Sequence, residues 1–159
     1  MTAASTKNPA TMAPDELAVA CADAMWASDN ASKALGMERL HISAGRASFA
    51  MVIQPHMVNG HGIAHGGFIF TLADSTFAFA CNTYNERTVA AHCNISFIRA
   101  GKLGDRLIAT ATEVSKSGRS GIYDIRVTAN DRVIAEFRGH SRTIGGSFLP
   151  VEGAETENA

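Results

Sequence analysis

The spacing of apolar and polar positions changes twice along the chain, and each change marks a different kind of element. Pro14 stands at a helix start with Asp15 and Glu16 in the first turn, and from there to about Ala27 the residues Leu17, Cys21, Ala24 and Met25 fall on one helical face. From Glu38 to Gln54 the period shortens. Ala47, Phe49, Met51 and Ile53 alternate with Ser48 and Ala50 after a break at Gly45, which predicts a β-hairpin. Asn59 to Gly67 is a loop rich in glycine and histidine, and Phe68 to Asn82 is apolar all around the helical wheel, so that helix has to be buried. Four strands follow, near 88–99, 105–116, 121–129 and 132–143, divided at Ala100-Gly101, Ser117-Gly118 and Asn130-Asp131. In the last two, Tyr123, Ile125 and Val127 oppose Asp124, Arg126 and Thr128, while Val133, Ala135 and Phe137 oppose Glu136, Arg138, His140 and Arg142. The sum is an α+β layout, an antiparallel β-sheet wrapped around a long central apolar α-helix.

Length and composition narrow the function classes. A chain of 159 residues is read as one domain over 13–147, with flexible ends at 1–12 and 148–159, the second an acidic tail carrying Glu152, Glu155 and Glu157. A formal net charge of -1 gives no global attraction to nucleic acid or membrane. Cys21, Cys81 and Cys93 are an odd number without a Cys-x-x-Cys pair, which fits a reducing compartment. No leader-like apolar stretch opens the sequence and no run approaches the roughly 20 residues needed to span a bilayer, so the expected location is cytoplasmic.

Asp74 is the only residue of the central apolar helix that carries a charge in its ordinary state at neutral pH. Its neighbours one turn away are Phe70, Thr71, Phe77 and Ala78, so no base at helical spacing compensates it. Burying an unpaired carboxylate costs several kcal/mol or raises its pKa until it protonates. Such a group either works chemically or sits at a subunit interface against an arginine from another element.

The loop before the helix adds a second kind of chemistry. In Asn59-Gly-His-Gly-Ile-Ala-His65-Gly66-Gly67 the glycine amides lie at the helix N-terminus, where free N–H groups and the positive dipole end favour an oxygen that becomes negative. Gly66 or Gly67 is thus placed to polarise a substrate carbonyl; alternatively both only shape a tight loop. Asn59 is either a turn residue or holds a water or thioester through its amide. His61 and His65 stand four apart, but the intervening glycines break the helix that a metal pair needs and no third ligand follows, so no metal is expected. His65 is read as orienting the loop through hydrogen bonds.

Asn59-Gly60-His61, His65-Gly66-Gly67, Leu72-Ala73-Asp74, Phe77-Ala78 and Ala80-Cys81-Asn82, in that order, resemble the phenylacetate-degradation thioesterases of the hotdog superfamily. The resemblance continues through Phe97-Ile98-Arg99, Gly121 to Asp124, Phe137-Arg138-Gly139 and Gly145-Gly146, covering about Gly36 to Gly146; it departs at Ala100, where proline often follows the arginine. It implies a hotdog fold and hydrolysis of an acyl-coenzyme A thioester, with no cofactor beyond the coenzyme A of the substrate. It also implies Asp74 as nucleophile or general base, Gly66 as backbone donor to the thioester carbonyl, Asn59 and Ser75 as polar helpers, and a homotetramer. The acyl group it implies is phenylacetyl or hydroxyphenylacetyl, with a medium aliphatic chain also open.

Geometry makes a further demand. Gly66 and Asp74 are eight positions apart. On one helix that is about 12 Å, too far to serve one carbonyl. Two such helices packed antiparallel across a two-fold axis bring the glycine of one chain to the aspartate of the other, so a homodimer is the least catalytic unit. For the coenzyme A phosphates Arg99, Lys102, Arg106, Lys116, Arg119 and Arg138 are candidates, with the turn at Gly118 and Arg119 preferred. Rival readings are a hydratase or dehydratase, which needs a histidine that only His92 could supply, a cysteine hydrolase using Cys81 or Cys93, and a non-catalytic acyl-CoA-binding module.

Overall fold

Proline at the first helical position and the acidic pair in the first turn start α1 (Pro14–Ser28) where the sequence placed a helix. In the computed structural model, which describes residues 8–150, the buried residues of α1 are Ala18, Cys21 and Ala22, while Leu17 and Met25 are only half-buried. The stripe is therefore rotated from the expected Leu17–Met25 face toward small side chains, which let the helix lie close to the sheet. At its end Trp26 packs against Phe49 and Phe79, each with ring centroids 6.0 Å away. A short α2 (Asn30–Ala34), which periodicity did not reveal, is capped by the Asp29 carboxylate accepting from the Ser32 amide at 3.0 Å. Of the expected flexible ends, 1–7 and 151–159 lie outside the described residues. Pro9–Thr11 forms a 3-10 turn, and the amides of Phe148 and Leu149 donate to Asn85 Oδ1 at 3.0 and 2.9 Å, so the boundary at 148 falls in a tethered stretch.

Six strands build one antiparallel sheet: β1 (Glu38–Ser43), β2 (Arg46–Val52), β3 (Thr88–Phe97), β4 (Arg106–Ser117), β5 (Ser120–Ala129) and β6 (Arg132–Thr143), in the order β1-β2-β4-β5-β6-β3. The strand expected to run to 99 stops at Phe97, because Ile98 and Arg99 both turn their amides onto Ile134 O. In β6 the alternation breaks where Ile134 and Ala135 are both buried, beside a bulge in the pairing with Val127 and Thr128.

The sheet curls around α3 (Gly66–Cys81), the apolar helix. Phe77 shows how closely: a Cβ on Gly139 of β6 would lie 2.7 Å from its ring, so only glycine lets the strand pass there. Phe77 also packs on Tyr123 and Phe137, and burying each such ring contributes roughly 1.5–3 kcal/mol. The helix is not covered all round. Phe70, Thr71, Asp74, Ser75 and Ala78 stay half-buried, a stripe at i, i+4, i+8. β3 borders β6 alone and leaves its other backbone edge unpaired among the described residues. No helix among the described residues is long and apolar enough to cross a membrane.

Candidate active site

The loop into α3 is built by its own polar atoms. Asn59 Oδ1 accepts from the amides of His61 at 2.9 Å and Ile63 at 3.4 Å, an Asx-type closure that fixes the turn. The backbone of Ala64 and His65 is tied to Gly101 O and Met57 O. His65 is the N-cap of α3, its Nδ1 accepting from Gly67 N–H at 2.9 Å. That bond separates the two glycines that the sequence left equivalent. Gly67 has its amide engaged, whereas the Gly66 amide, at the first helical position, has no acceptor among the described residues. The free amide borders a cavity of about 430 Å³ lined by Asn59, Ile63, Phe97, Ile98 and Arg99, among others. Phe97, 53% exposed, lies so close that a Cβ on Gly66 would stand 2.9 Å from its ring.

Two turns along α3, Asp74 opens into a different cavity of about 360 Å³ with Met25, Phe77, Ala78, Arg87, Val89 and Phe148 among its walls. Within one chain the two groups thus occupy separate pockets, as their spacing demanded. Asp74 joins no ion pair among the described residues. Its hydrogen-bond partner is the thiol of Cys93 on β3, Sγ to Oδ1 3.8 Å. Burial pushes the carboxyl above its ordinary value, and the thiol partly opposes that rise. Ser75, read as a helper, points elsewhere: its hydroxyl accepts from Ser32 at 3.1 Å and docks α2.

Arg87 was missed by the sequence reading. It reaches the rim of the Asp74 cavity because the segment after β6 folds back, its amide donating to Gly146 O, its Nε to Ser147 O at 3.0 Å and its guanidinium lying 5.5 Å from the Phe148 ring centre. No periodicity signals such a return. Among the phosphate candidates, Arg99 stands by the Gly66 cavity with Nη1 on Val133 O. Lys116 pairs with Glu86 at 3.0 Å, and Arg119, beyond the left-handed Gly118 (φ +54°), gives two bonds to Thr143 O, so this turn lies at the Asp74 end. Arg106 pairs with Glu38 and Arg138 with Asp124.

The rival chemistries fare poorly in this geometry. His92 is exposed beside His140, ring centroids 5.7 Å apart, while its neighbour Cys93 points inward to Asp74. Burial holds the Cys81 thiol up at about 12 and, with the nearby Asp74 charge, Cys93 at about 11, so neither is a ready nucleophile at neutral pH.

Comparison with known proteins agrees. A family model described as Thioesterase superfamily matches residues 61–136. The acyl-coenzyme A thioesterase PaaI of Escherichia coli is 42% identical over 128 residues, 80% of this chain and 91% of that protein. A solved structure of the E. coli PaaI protein from the phenylacetic acid degradation operon superposes with a TM-score of 0.83 at 39% identity, covering 85% of this chain and 99% of that one. A single-site variant of the phenylacetic acid degradation protein PaaI from Thermus thermophilus gives 0.71 at 36% identity, covering 73% and 100%. Likeness of this extent, on a sheet curled around one apolar helix, places the chain in the hotdog-fold acyl-coenzyme A thioesterases, a family of thioester hydrolases.

Proposed function

We propose that the protein hydrolyses small aryl acyl-CoA thioesters of the phenylacetyl or hydroxyphenylacetyl type, and medium acyl-CoA more slowly, to the free acid and coenzyme A. The observation that carries the reading is the pairing of two incomplete half-sites: an unengaged Gly66 amide in one cavity and an ion-pair-free Asp74 in another. Antiparallel pairing of the open β3 edges across a two-fold axis sets the Phe97 end of one strand beside the Thr88 end of the other. The Gly66 amide of one chain then polarises the thioester carbonyl, and Asp74 of the partner attacks it or deprotonates the water that does. The tetrahedral oxyanion collapses with loss of the coenzyme A thiolate, which takes up the proton that water gave Asp74; where the carboxylate itself attacks, collapse leaves a mixed anhydride that water then hydrolyses to the free acid and Asp74. Two such dimers make the tetramer. Hydrolysis by these groups calls on no cofactor.

The apolar walls around Asp74, and the operon in which E. coli PaaI sits, favour an aryl acyl group. Arg99 is the base nearest the carbonyl pocket for the coenzyme A phosphates, with Lys116, Gly118 and Arg119 at the other chain's end. Three free cysteines fit action in the cytoplasm. The test is thiol release from a panel of aryl and aliphatic acyl-CoA esters by wild type and Asp74→Asn. Release that depends on Asp74 and is fastest on aryl esters supports the reading. Tight binding of an ester with no release moves the function to a hydratase or a binding module.

A further inference from the structure

Asp74 is held by an unusual partner. No lysine, arginine or histidine pairs with it, and the donor that reaches its carboxylate is the Cys93 thiol, at 3.8 Å from Oδ1. Strand geometry aims that thiol: His92 faces outward, so Cys93 faces the helix and stands behind Asp74. The geometry points to Cys93 as a positioning residue of the reaction, its S–H fixing one carboxylate oxygen so that the other is turned into the cavity. This rests on Asp74 being the working carboxylate.

The other groups facing Asp74 do not substitute for it. Cys81, on the same helix, turns its own thiol to Ala78 O at 3.4 Å. Arg87, on the segment before β3, is held by Ser147 O and the Phe148 ring. Met25 of α1 and Ile144 after β6 bring no charge or donor. The thiol is fit for the role because it stays protonated: burial and the Asp74 charge hold it at about 11. A thiol is a weak donor, so it steadies an ionised carboxylate without neutralising its basicity as an ammonium would.

The sign of the effect follows. Asp74 acts ionised, burial raises its pKa and the Cys93 bond lowers it, so removing the donor moves the acid limb of the pH profile to higher pH. Profiles of kcat/KM are compared for wild type, Cys93→Ala, Cys93→Val and Cys93→Ser, with Asp74→Asn as the control. Alanine and valine, which lack a donor, are expected to lower the plateau rate through the lost positioning and the rate at a fixed pH on the acid limb about three-fold further; serine restores the limb. Valine fills the space, so the experiment does not depend on alanine folding well. An unmoved limb in both donor-free variants, with Asp74→Asn inactive, overturns the role of Cys93 and leaves that of Asp74 standing. Serine behaving like alanine also overturns it, since both lack the sulfur and only packing was lost. Full activity of Asp74→Asn sinks the carboxylate reading itself, and this one with it.

Discussion

The N-terminus of α3 and its middle differ in how their polar atoms are satisfied. At the N-terminus, Asn59, His65 and Gly67 close a network of bonds on themselves, which leaves the Gly66 amide at the first helical position without an acceptor among the described residues. In the middle, an acid sits half-buried against phenylalanine and alanine with a single thiol for company. The first region offers a free amide donor and no carboxylate; the second has the carboxylate and no free amide beside it. In the proposed two-chain site these two ends come from different chains and face one substrate, so each supplies what the other lacks.

The widest gap between the two regions should open with Asp74→Asn, which keeps the shape and removes the charge. Turnover is expected to fall at least about a thousand-fold while the oligomer persists, measured by thiol release and light scattering. Gly66→Ala strikes the other region: its Cβ meets the Phe97 ring at 2.9 Å and crowds the approach to the amide. A loss of about 10- to 100-fold in kcat/KM is expected. Adding Phe97→Ala should return part of it, since the second change relieves the crowding that the first creates. Asn59→Ala opens the Asx closure without touching the carboxylate and should cost about five-fold in kcat/KM, together with a lower Tm. The smallest effect is thermodynamic. Because burial raises the pKa of Asp74 in the folded state, its ionised form costs stability in full above that raised pKa, and the cost fades as pH falls from there to the ordinary carboxyl value. Asp74→Asn should therefore raise Tm at neutral pH, with a gain that shrinks as the buffer is made acidic.

Much of this was legible in the sequence, for physical reasons that can be named. The helix over 66–81 is recognisable because apolar residues on all sides demand burial, and Asp74 stands out against them without any structure. β5 and β6 alternate, apart from the break at Ile134 and Ala135, because one face meets α3. The rotation of α1 was hidden, because Ala18 and Ala22 carry weak hydrophobic signals beside Leu17 and Met25, and close approach rather than hydrophobicity decides which face is buried. The division of labour between Gly66 and Gly67 depends on where one imidazole nitrogen points, which spacing does not encode. Arg87 shares the Asp74 cavity and Cys93 bonds the carboxylate through the fold's chain returns; an arginine before a strand and a cysteine within one carry no mark of that.

Mixing two impaired variants puts the sharing of the site between chains to the proof. Gly66→Ala and Asp74→Asn are co-expressed with different tags, and the species carrying both tags is purified and assayed for thiol release. A shared site leaves each mixed dimer one position with both residues intact, so the doubly tagged species should recover up to about half the wild-type activity, well above either parent. Activity no higher than that of the parent variants would mean that Gly66 and Asp74 serve the same site within one chain, and the two-chain arrangement would be wrong.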